Sequence, residues 1–226
     1  MITLDCEQGG QEWLAAHVGI PTASAFDKIL TPRTRKPSSS ADKYLREKLA
    51  EWLTGRTLDE SIGQFMQRGN VMEAEAVAFY ELTRSVQTEK VGFCLRDDRL
   101  VGCSPDRLVG EDGLLEIKCP ALTTHIGYLL TDSGLDDYAC QTQGQLWITG
   151  RAWVDVVAYN PELPPAVVRY ARDEAFIAAL AANVNAFVSR LAEGRQHLLA
   201  LGCVPREPLS AEDMTPKIST VGAGIY

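Results

Sequence analysis

Ser104-Pro105-Asp106, followed by Glu116-Ile117-Lys118, is the stretch on which the reading of this chain turns. Leu100 to Val109 has the pattern of a strand, with Pro105 marking an edge position or a bulge because proline cannot donate to a ladder. Gly110-Glu111-Asp112-Gly113 is a turn signal, Leu114 to Cys119 reads as a second strand, and Pro120 stops it. A loop closing symmetrically about Glu111 sets Asp106 directly opposite Glu116, and a loop longer or shorter by one residue makes them diagonal neighbours. Strand side chains alternate, so Glu116 and Lys118 share one face while Leu115, Ile117 and Cys119 form the other, apolar one. Gathering two carboxylates on an apolar hairpin is costly without a compensating ion. Hard oxygen ligands favour Mg²⁺ or Mn²⁺ over zinc, and a lysine beside them stands where an activated water would sit. The same residues also fit structural ion pairs, Glu116 with Lys118 or Asp106 with Arg107.

The 226 residues suffice for one large domain or two small ones. No linker-like stretch or internal repeat divides them, so one domain over 1–226 is expected, with an irregular tail from about 205. No apolar run long enough to span a membrane and no signal peptide are read, and a cytoplasmic location is expected. None of the six cysteines falls at C-x-x-C spacing, so reduced core thiols are expected. The net charge of −8 sits awkwardly with a polyanionic partner. Local surface decides that question, and the best local candidate is the basic loop Pro32-Arg33-Thr34-Arg35-Lys36-Pro37.

The remaining pattern predicts a short helix from Gln11 to His17 and another from Thr22 or Ser24 to about Leu30. A third helix starts at Ser40, with an apolar stripe of Tyr44, Leu45, Leu49, Trp52 and Leu53 and a stop at Gly55. A fourth runs from about Gly63 to Thr83, weakened near Gly69, and a strand follows from Val86 to Arg96. Helices over His125–Leu130 and Asp136–Ile148, strands over Ala152–Tyr159 and Ala166–Arg172, and a long helix from Glu174 complete the chain. This order predicts an α/β fold with one layer of mixed β-sheet and helices on its faces.

Four blocks then resemble, in order, the lambda-type phage exonucleases, the viral recombinase (YqaJ-like) branch of the restriction-endonuclease-like nucleases. They are Trp13-x-x-x-His17-x-Gly19-x-x-Thr22-Ala23-Ser24; Arg68-Gly69-x-x-x-Glu73; Cys103-Ser104-Pro105-Asp106 with Glu116-Ile117-Lys118-Cys119-Pro120; and Gln141-x-Gln143-x-x-x-Trp147. The resemblance implies a restriction-endonuclease-like core, a central mixed β-sheet flanked by helices. It implies that Asp106, Glu116 and the main-chain carbonyl of Ile117 bind Mg²⁺, two ions per site with Mn²⁺ able to substitute. Lys118 would orient or deprotonate the attacking water, and Glu73 would be the helical acid of the site. Ser24, Ser104, Gln141 and His17 would form a pocket for a 5′-phosphate. His17 departs from the family, which carries arginine there, a fork of donors that histidine lacks. Met66 matches an apolar wedge at the duplex end and Arg33 a basic residue that tracks the DNA groove.

The implied function is a 5′→3′ exonuclease that degrades the 5′-terminated strand of linear double-stranded DNA to 5′-mononucleotides. It would leave a 3′ overhang for a single-strand annealing recombination protein, and would act as a homotrimeric ring around its substrate. A basic channel inside such a ring reconciles DNA binding with the acidic total. The rival readings are a site-specific endonuclease on the same fold and a non-catalytic DNA-end-binding module.

Overall fold

Gly92 and Pro105 each interrupt what the sequence pattern reads as one strand, and both interruptions shape the fold. The computed structural model describes residues 1–58, 61–131 and 135–207, the side chains of 61–71 excepted. The chain begins with strand β1 (Ile2–Leu4), helix α1 (Gln11–His17) and a 3-10 turn over Ala23–Lys28. A small hairpin of β2 (Leu30–Thr31) and β3 (Lys36–Pro37) follows, then helices α2 (Ala41–Thr54) and α3 (Ser61–Arg84). Next come β4 (Thr88–Lys90), β5 (Phe93–Leu95), β6 (Gly102–Cys103), β7 (Arg107–Val109) and β8 (Gly113–Lys118). Helix α4 (Leu122–Leu130), a 3-10 turn over Asp136–Tyr138, α5 (Ala139–Thr149), β9 (Trp153–Ala158), β10 (Ala166–Ala171) and α6 (Glu174–Ala200) complete it.

The fold is α/β, with a mixed central sheet flanked by helices, but the strands do not form the single layer that the sequence suggests. A five-stranded sheet runs in the order β10-β9-β8-β7-β4, with β8 and β9 parallel and the other pairs antiparallel. A separate three-stranded sheet runs β1-β5-β6. The predicted strand from Val86 to Arg96 is thus two, β4 in one sheet and β5 in the other. Gly92 lies at the crossing, where a Cβ would stand 2.4 Å from the Cys6 carbonyl oxygen and 2.5 Å from that of Leu4. The next strand divides the same way at Ser104-Pro105-Asp106, between β6 and β7. A proline that cannot donate to a ladder is tolerated at such a crossing. The second predicted helix is only the 3-10 turn, and no side-chain cap bond forms at Thr22. The basic loop forms the β2–β3 hairpin, with Arg35 at φ 54.

Strand β8 is buried on both faces, as expected of a strand with a parallel neighbour between helical layers. Leu115 and Ile117 pack with Ala76, Val77 and Tyr80 of α3. Leu114 lies on the other face with Leu146 of α5, Ile177 of α6 and Val154 and Val156 of β9. The β7–β8 register, Val109 opposite Gly113 and Arg107 opposite Leu115, is the one that closes symmetrically about Glu111.

Helix α6 is long and apolar enough, by length and composition, to cross a membrane, which corrects the sequence reading that no such segment exists. Its stripe of Phe176, Ile177, Leu180, Val184, Phe187 and Leu191 is buried in the protein interior. Asp173 caps its first turn, the carboxylate accepting from the amides of Ala175 and Phe176 at 2.9 Å each.

Gly113 begins β8 under the indole of Trp153, where a Cβ would lie 2.1 Å from the ring. Gly113→Ala should therefore destabilise the protein by roughly 1–3 kcal/mol, the usual cost of overpacking. A lowered urea midpoint with an unchanged slope is the expected observation.

Candidate active site

The end of the β7–β8 hairpin carries the candidate catalytic residues Asp106, Glu116 and Lys118. Beyond Arg107 the ladder stops, and the amide of Ile117 donates instead to Asp106 Oδ2 at 2.5 Å. The strand break thus turns a backbone ladder position into a carboxylate contact beside Glu116. Glu116 is 4% exposed and its carboxylate is surrounded by donors. Oε1 accepts from Lys118 Nζ at 2.8 Å and Gln141 Nε2 at 2.6 Å, and Oε2 accepts from Gln145 Nε2 at 2.6 Å. Lys118 Nζ also donates to Gln141 Oε1 at 2.9 Å and lies 4.7 Å from the centre of the Tyr138 ring. Gln141 and Gln145 are four residues apart on α5, one helical turn, so both reach the same strand.

The electrostatics set two buried acids against each other beside one ammonium. Burial, then the nearby Glu116 and Glu73, push the Asp106 carboxyl well above its usual range, against the opposing pull of the Ile117 amide and Lys118. Burial disfavours the charged form of Lys118, but Glu116 and Asp106 outweigh it and hold its ammonium above the usual range. Among the described residues no three His, Cys, Asp or Glu side chains gather into a ready-made cage. Asp106, Glu116 and the main-chain carbonyl of Ile117, the expected ligands, are hard oxygen donors, and their small number fits Mg²⁺, which seldom takes an all-protein cage. The like-charge tension at Asp106 is the feature that such an ion would relieve.

Glu73, on α3, is tied to this cluster through Arg107. Its Oε1 is 3.2 Å from Arg107 Nη1, and that same nitrogen donates to the Asp106 carbonyl at 2.6 Å. Arg107 is therefore the tie between the helical acid and the hairpin.

A cavity of about 760 Å³ opens beside the cluster. Ser24, Ser104, Gln141 and His17, the four residues of the expected phosphate pocket, all line it, together with Gln145. Trp13 Nε1 donates to Ser104 Oγ at 2.8 Å, and Ser24 and Thr22 hydroxyls meet at 3.2 Å. Gln8 Nε2 fixes the strand break by donating to the Pro105 carbonyl at 2.9 Å. His17 is packed between Trp13 and Phe93, with ring centres 3.7 and 4.2 Å away. Its Nδ1 faces the Trp13 carbonyl at 2.7 Å, which requires the proton on Nδ1 and leaves Nε2 an acceptor in the neutral ring. Burial lowers its pKa to about 4, against the pull of that carbonyl and aided by Lys48.

A model of the YqaJ-like viral recombinase domain matches residues 12–152. The chain belongs to that family. Among solved structures it is similar to an alkaline exonuclease from Laribacter hongkongensis, with 33% identity over 85% of this chain and 98% of that one and a TM-score of 0.77. The same enzyme in complex with dAMP matches at 34% identity over 85% and 98% of the two chains, with a TM-score of 0.75. A phage-related exonuclease from Haemophilus somnus 129PT shares the fold at 18% identity, over 81% and 96% of the chains, with a TM-score of 0.60. A search of curated protein sequences returned no match.

On this YqaJ-like scaffold, Asp106, Glu116, Lys118 and Gln141 come together, and Ser24, Ser104 and His17 share the adjoining cavity. Arg33 is exposed at the tip of the β2–β3 hairpin and does not line the cavity. Met66, like Arg68, lies outside the described side chains. Sequence reading passed over Gln145 as a site residue, although its i+4 spacing from Gln141 signals a shared face. It also passed over Lys48 and Glu51, which are buried with Tyr44 as the most enclosed positions of α2. The spacing of Tyr44, Lys48 and Glu51 at i, i+4 and i+7 was the available signal: two charges on the core-facing stripe.

Two outcomes follow for this site. Asp106→Asn keeps an acceptor for the Ile117 amide and removes the repulsion, so in chelator its thermal midpoint should rise by a few degrees, on the order of 1 kcal/mol of stability. Added Mg²⁺ should raise the midpoint of the wild type and leave that of the variant unchanged, as read by differential scanning fluorimetry. For His17, the unfolded chain takes up a proton below about pH 6.5 that the folded ring refuses until about pH 4, so acidification through that window costs stability. The contribution is roughly 3 kcal/mol at most. Urea midpoints at about pH 7 and about pH 5 should differ less in His17→Gln than in the wild type.

Proposed function

We propose that this protein is a divalent-metal-dependent 5′→3′ exonuclease on linear double-stranded DNA, releasing 5′-mononucleotides and leaving a 3′ overhang. The observation that carries the reading is Gln141. It bonds both Glu116 and Lys118 of the acidic hairpin, and it lines the cavity that Ser24 and Ser104 share. A cutting centre and a pocket of hydroxyl and amide donors therefore have a wall in common. A pocket of that kind, one residue's width from the cutting centre, suits a terminal phosphate set beside the bond to be cut. That arrangement favours cutting from an end over cutting within a strand. The related alkaline exonuclease crystallised with dAMP, a deoxynucleoside monophosphate of the class expected as product, supports it.

Asp106, Glu116 and the Ile117 carbonyl would hold the metal. When bound, it supplies positive charge that polarises the scissile phosphate and acidifies an attacking water. Lys118, held as an ammonium by Glu116 and Gln141, donates hydrogen bonds to the phosphate or to the water and so orients the attack. Gln145 secures the far oxygen of Glu116. Arg107 holds Glu73 in reach of the hairpin without letting its charge add fully to that of Asp106. The reading includes a trimeric ring and an annealing partner that receives the overhang, both expected from the resemblance.

Linear duplex with 5′-phosphoryl ends, incubated with Mg²⁺, should release mononucleotides, while supercoiled circles stay intact. Lys118→Ala and Asp106→Asn should each lower the rate by about 10²–10⁴, the range typical of loss of a positioned catalytic group. No release from linear duplex, or nicking of the circles, would sink the proposal.

A further inference from the structure

The cavity beside the cutting centre is lined by neutral donors at Ser24, Ser104 and Gln141, and by His17, whose ring is neutral and whose Nε2 is an acceptor. A phosphomonoester dianion in such a cavity would lack a positive counterpart, and neutral donors alone bind it weakly compared with charge-assisted ones. Two lysines line the cavity as well. Lys28 has a side chain 46% exposed, 3.8 Å from Glu47, and so belongs to the rim. Lys48 is different. Its side chain is 10% exposed, and its ammonium sits 2.6 Å from Glu51 Oε2 and 5.4 Å from the centre of the Tyr44 ring.

A buried ion pair is expensive to maintain in a helix that could have carried leucine at both positions, and it is poor evidence of stabilisation. The way it is supported points to use. Glu51 does not depend on Lys48 alone: Oε2 also accepts from the Gly19 amide at 3.1 Å, and Oε1 accepts from the Leu58 amide at 3.3 Å. Gly19 reaches that position with φ +68, where an added Cβ would stand 2.9 Å from Trp52 Cβ. The carboxylate therefore keeps hydrogen-bond donors if the ammonium turns away. Lys48 has three N–H donors and, among the described residues, one hydrogen-bond acceptor, Glu51. It lines the same cavity as Ser24 and Ser104.

We propose that Lys48 is the cation that reads a phosphomonoester in this cavity, with Glu51 as the backbone-held carboxylate that parks the ammonium when the cavity is free of phosphate. This rests on the end-reading pocket proposed above and assigns its charge. A phosphomonoester dianion entering between Ser24, Ser104 and Gln141 draws Lys48 from Glu51 toward itself. Glu51 remains satisfied by the Gly19 and Leu58 amides. The same chemistry is offered by two molecules, the 5′-phosphoryl end of the DNA and the released mononucleotide.

The test uses the full chain with Mg²⁺ and duplex ends bearing 5′-phosphate or 5′-hydroxyl, and, in a second arm, inhibition by dAMP against deoxyadenosine. Lys48→Gln alone strands a buried carboxylate, so it is accompanied by the double variant Lys48→Gln/Glu51→Gln, a neutral amide pair, and by Lys48→Arg, which keeps the charge. Circular dichroism selects the variants that fold. The rate ratio of 5′-phosphoryl to 5′-hydroxyl ends, or the dAMP inhibition, should fall at least tenfold in the folded neutral variant and recover in Lys48→Arg. Loss of the end preference assigns Lys48 to the DNA end, and loss of inhibition alone assigns it to the released nucleotide. A neutral variant that keeps both at the wild-type level overturns the role of Lys48 and leaves the pocket standing. A wild type that is indifferent to the 5′-phosphate and to dAMP overturns the pocket reading and this proposal together.

Discussion

Glu116 is a carboxylate 4% exposed in a strand covered on both faces, and its need for donors organises everything around it. An isolated buried carboxylate would cost several kcal/mol. It is met by Lys118 from the same strand and by two glutamines from one turn of α5. Those contacts pin α5 against β8, and α5 in turn packs on the 3-10 turn through Gly144, where a Cβ would stand 2.6 Å from the Phe26 ring. The cavity wall, the position of Ser24 and the aim of Lys118 are all consequences of satisfying one acid.

The second organising feature is the crossing of chain between sheets at Ser104-Pro105-Asp106. A continuous strand would have put Ser104 and Asp106 on the same face of a single sheet, spending their amides in a ladder. Because the strand breaks, Ser104 turns to Trp13 and the cavity while Asp106 takes the amide of Ile117. The residue that touches the proposed terminal phosphate and the residue that holds the proposed metal are thus two positions apart. The partial positive charge of the Ile117 amide tempers Asp106, and burial beside Glu116 keeps it under tension.

Much of this was legible in sequence where the physics is local. Period-two alternation placed Glu116 with Lys118 and Leu115 with Ile117. The turn at Gly110–Gly113 narrowed the register to two, of which the structure takes the symmetric one, and the left-handed glycine Gly55 stops α2 where expected, at φ 70. Four short blocks led to the family. What sequence reading could not supply were facts of packing between distant segments. The strand over Val86–Arg96 has no local sign of the approach of Cys6 and Leu4 to Gly92. In α2 the apolar stripe of Tyr44, Leu45, Leu49, Trp52 and Leu53 marks the core face, and charge type gives no sign that Lys48 and Glu51 are buried beside Tyr44. There Glu51 is met by the Gly19 and Leu58 amides, which come in from elsewhere in the chain. Histidine at position 17 looked like a titrating substitute for arginine. Trp13 and Phe93 enclose its ring and keep it neutral.

By itself, the sequence determined the alternation of β8, the turn at Gly110–Gly113, the candidate set of Asp106, Glu116 and Lys118, and the family. Those are set by alternation, turn chemistry and residue type, all properties of neighbours along the chain. The tertiary structure alone decided which side chains carry charge in the cavity, where the strands pass from one sheet to the other, and which acid is left under tension. Burial and the arrival of donors from distant segments set those properties, because the free energy of an ionised group depends on what surrounds it in space.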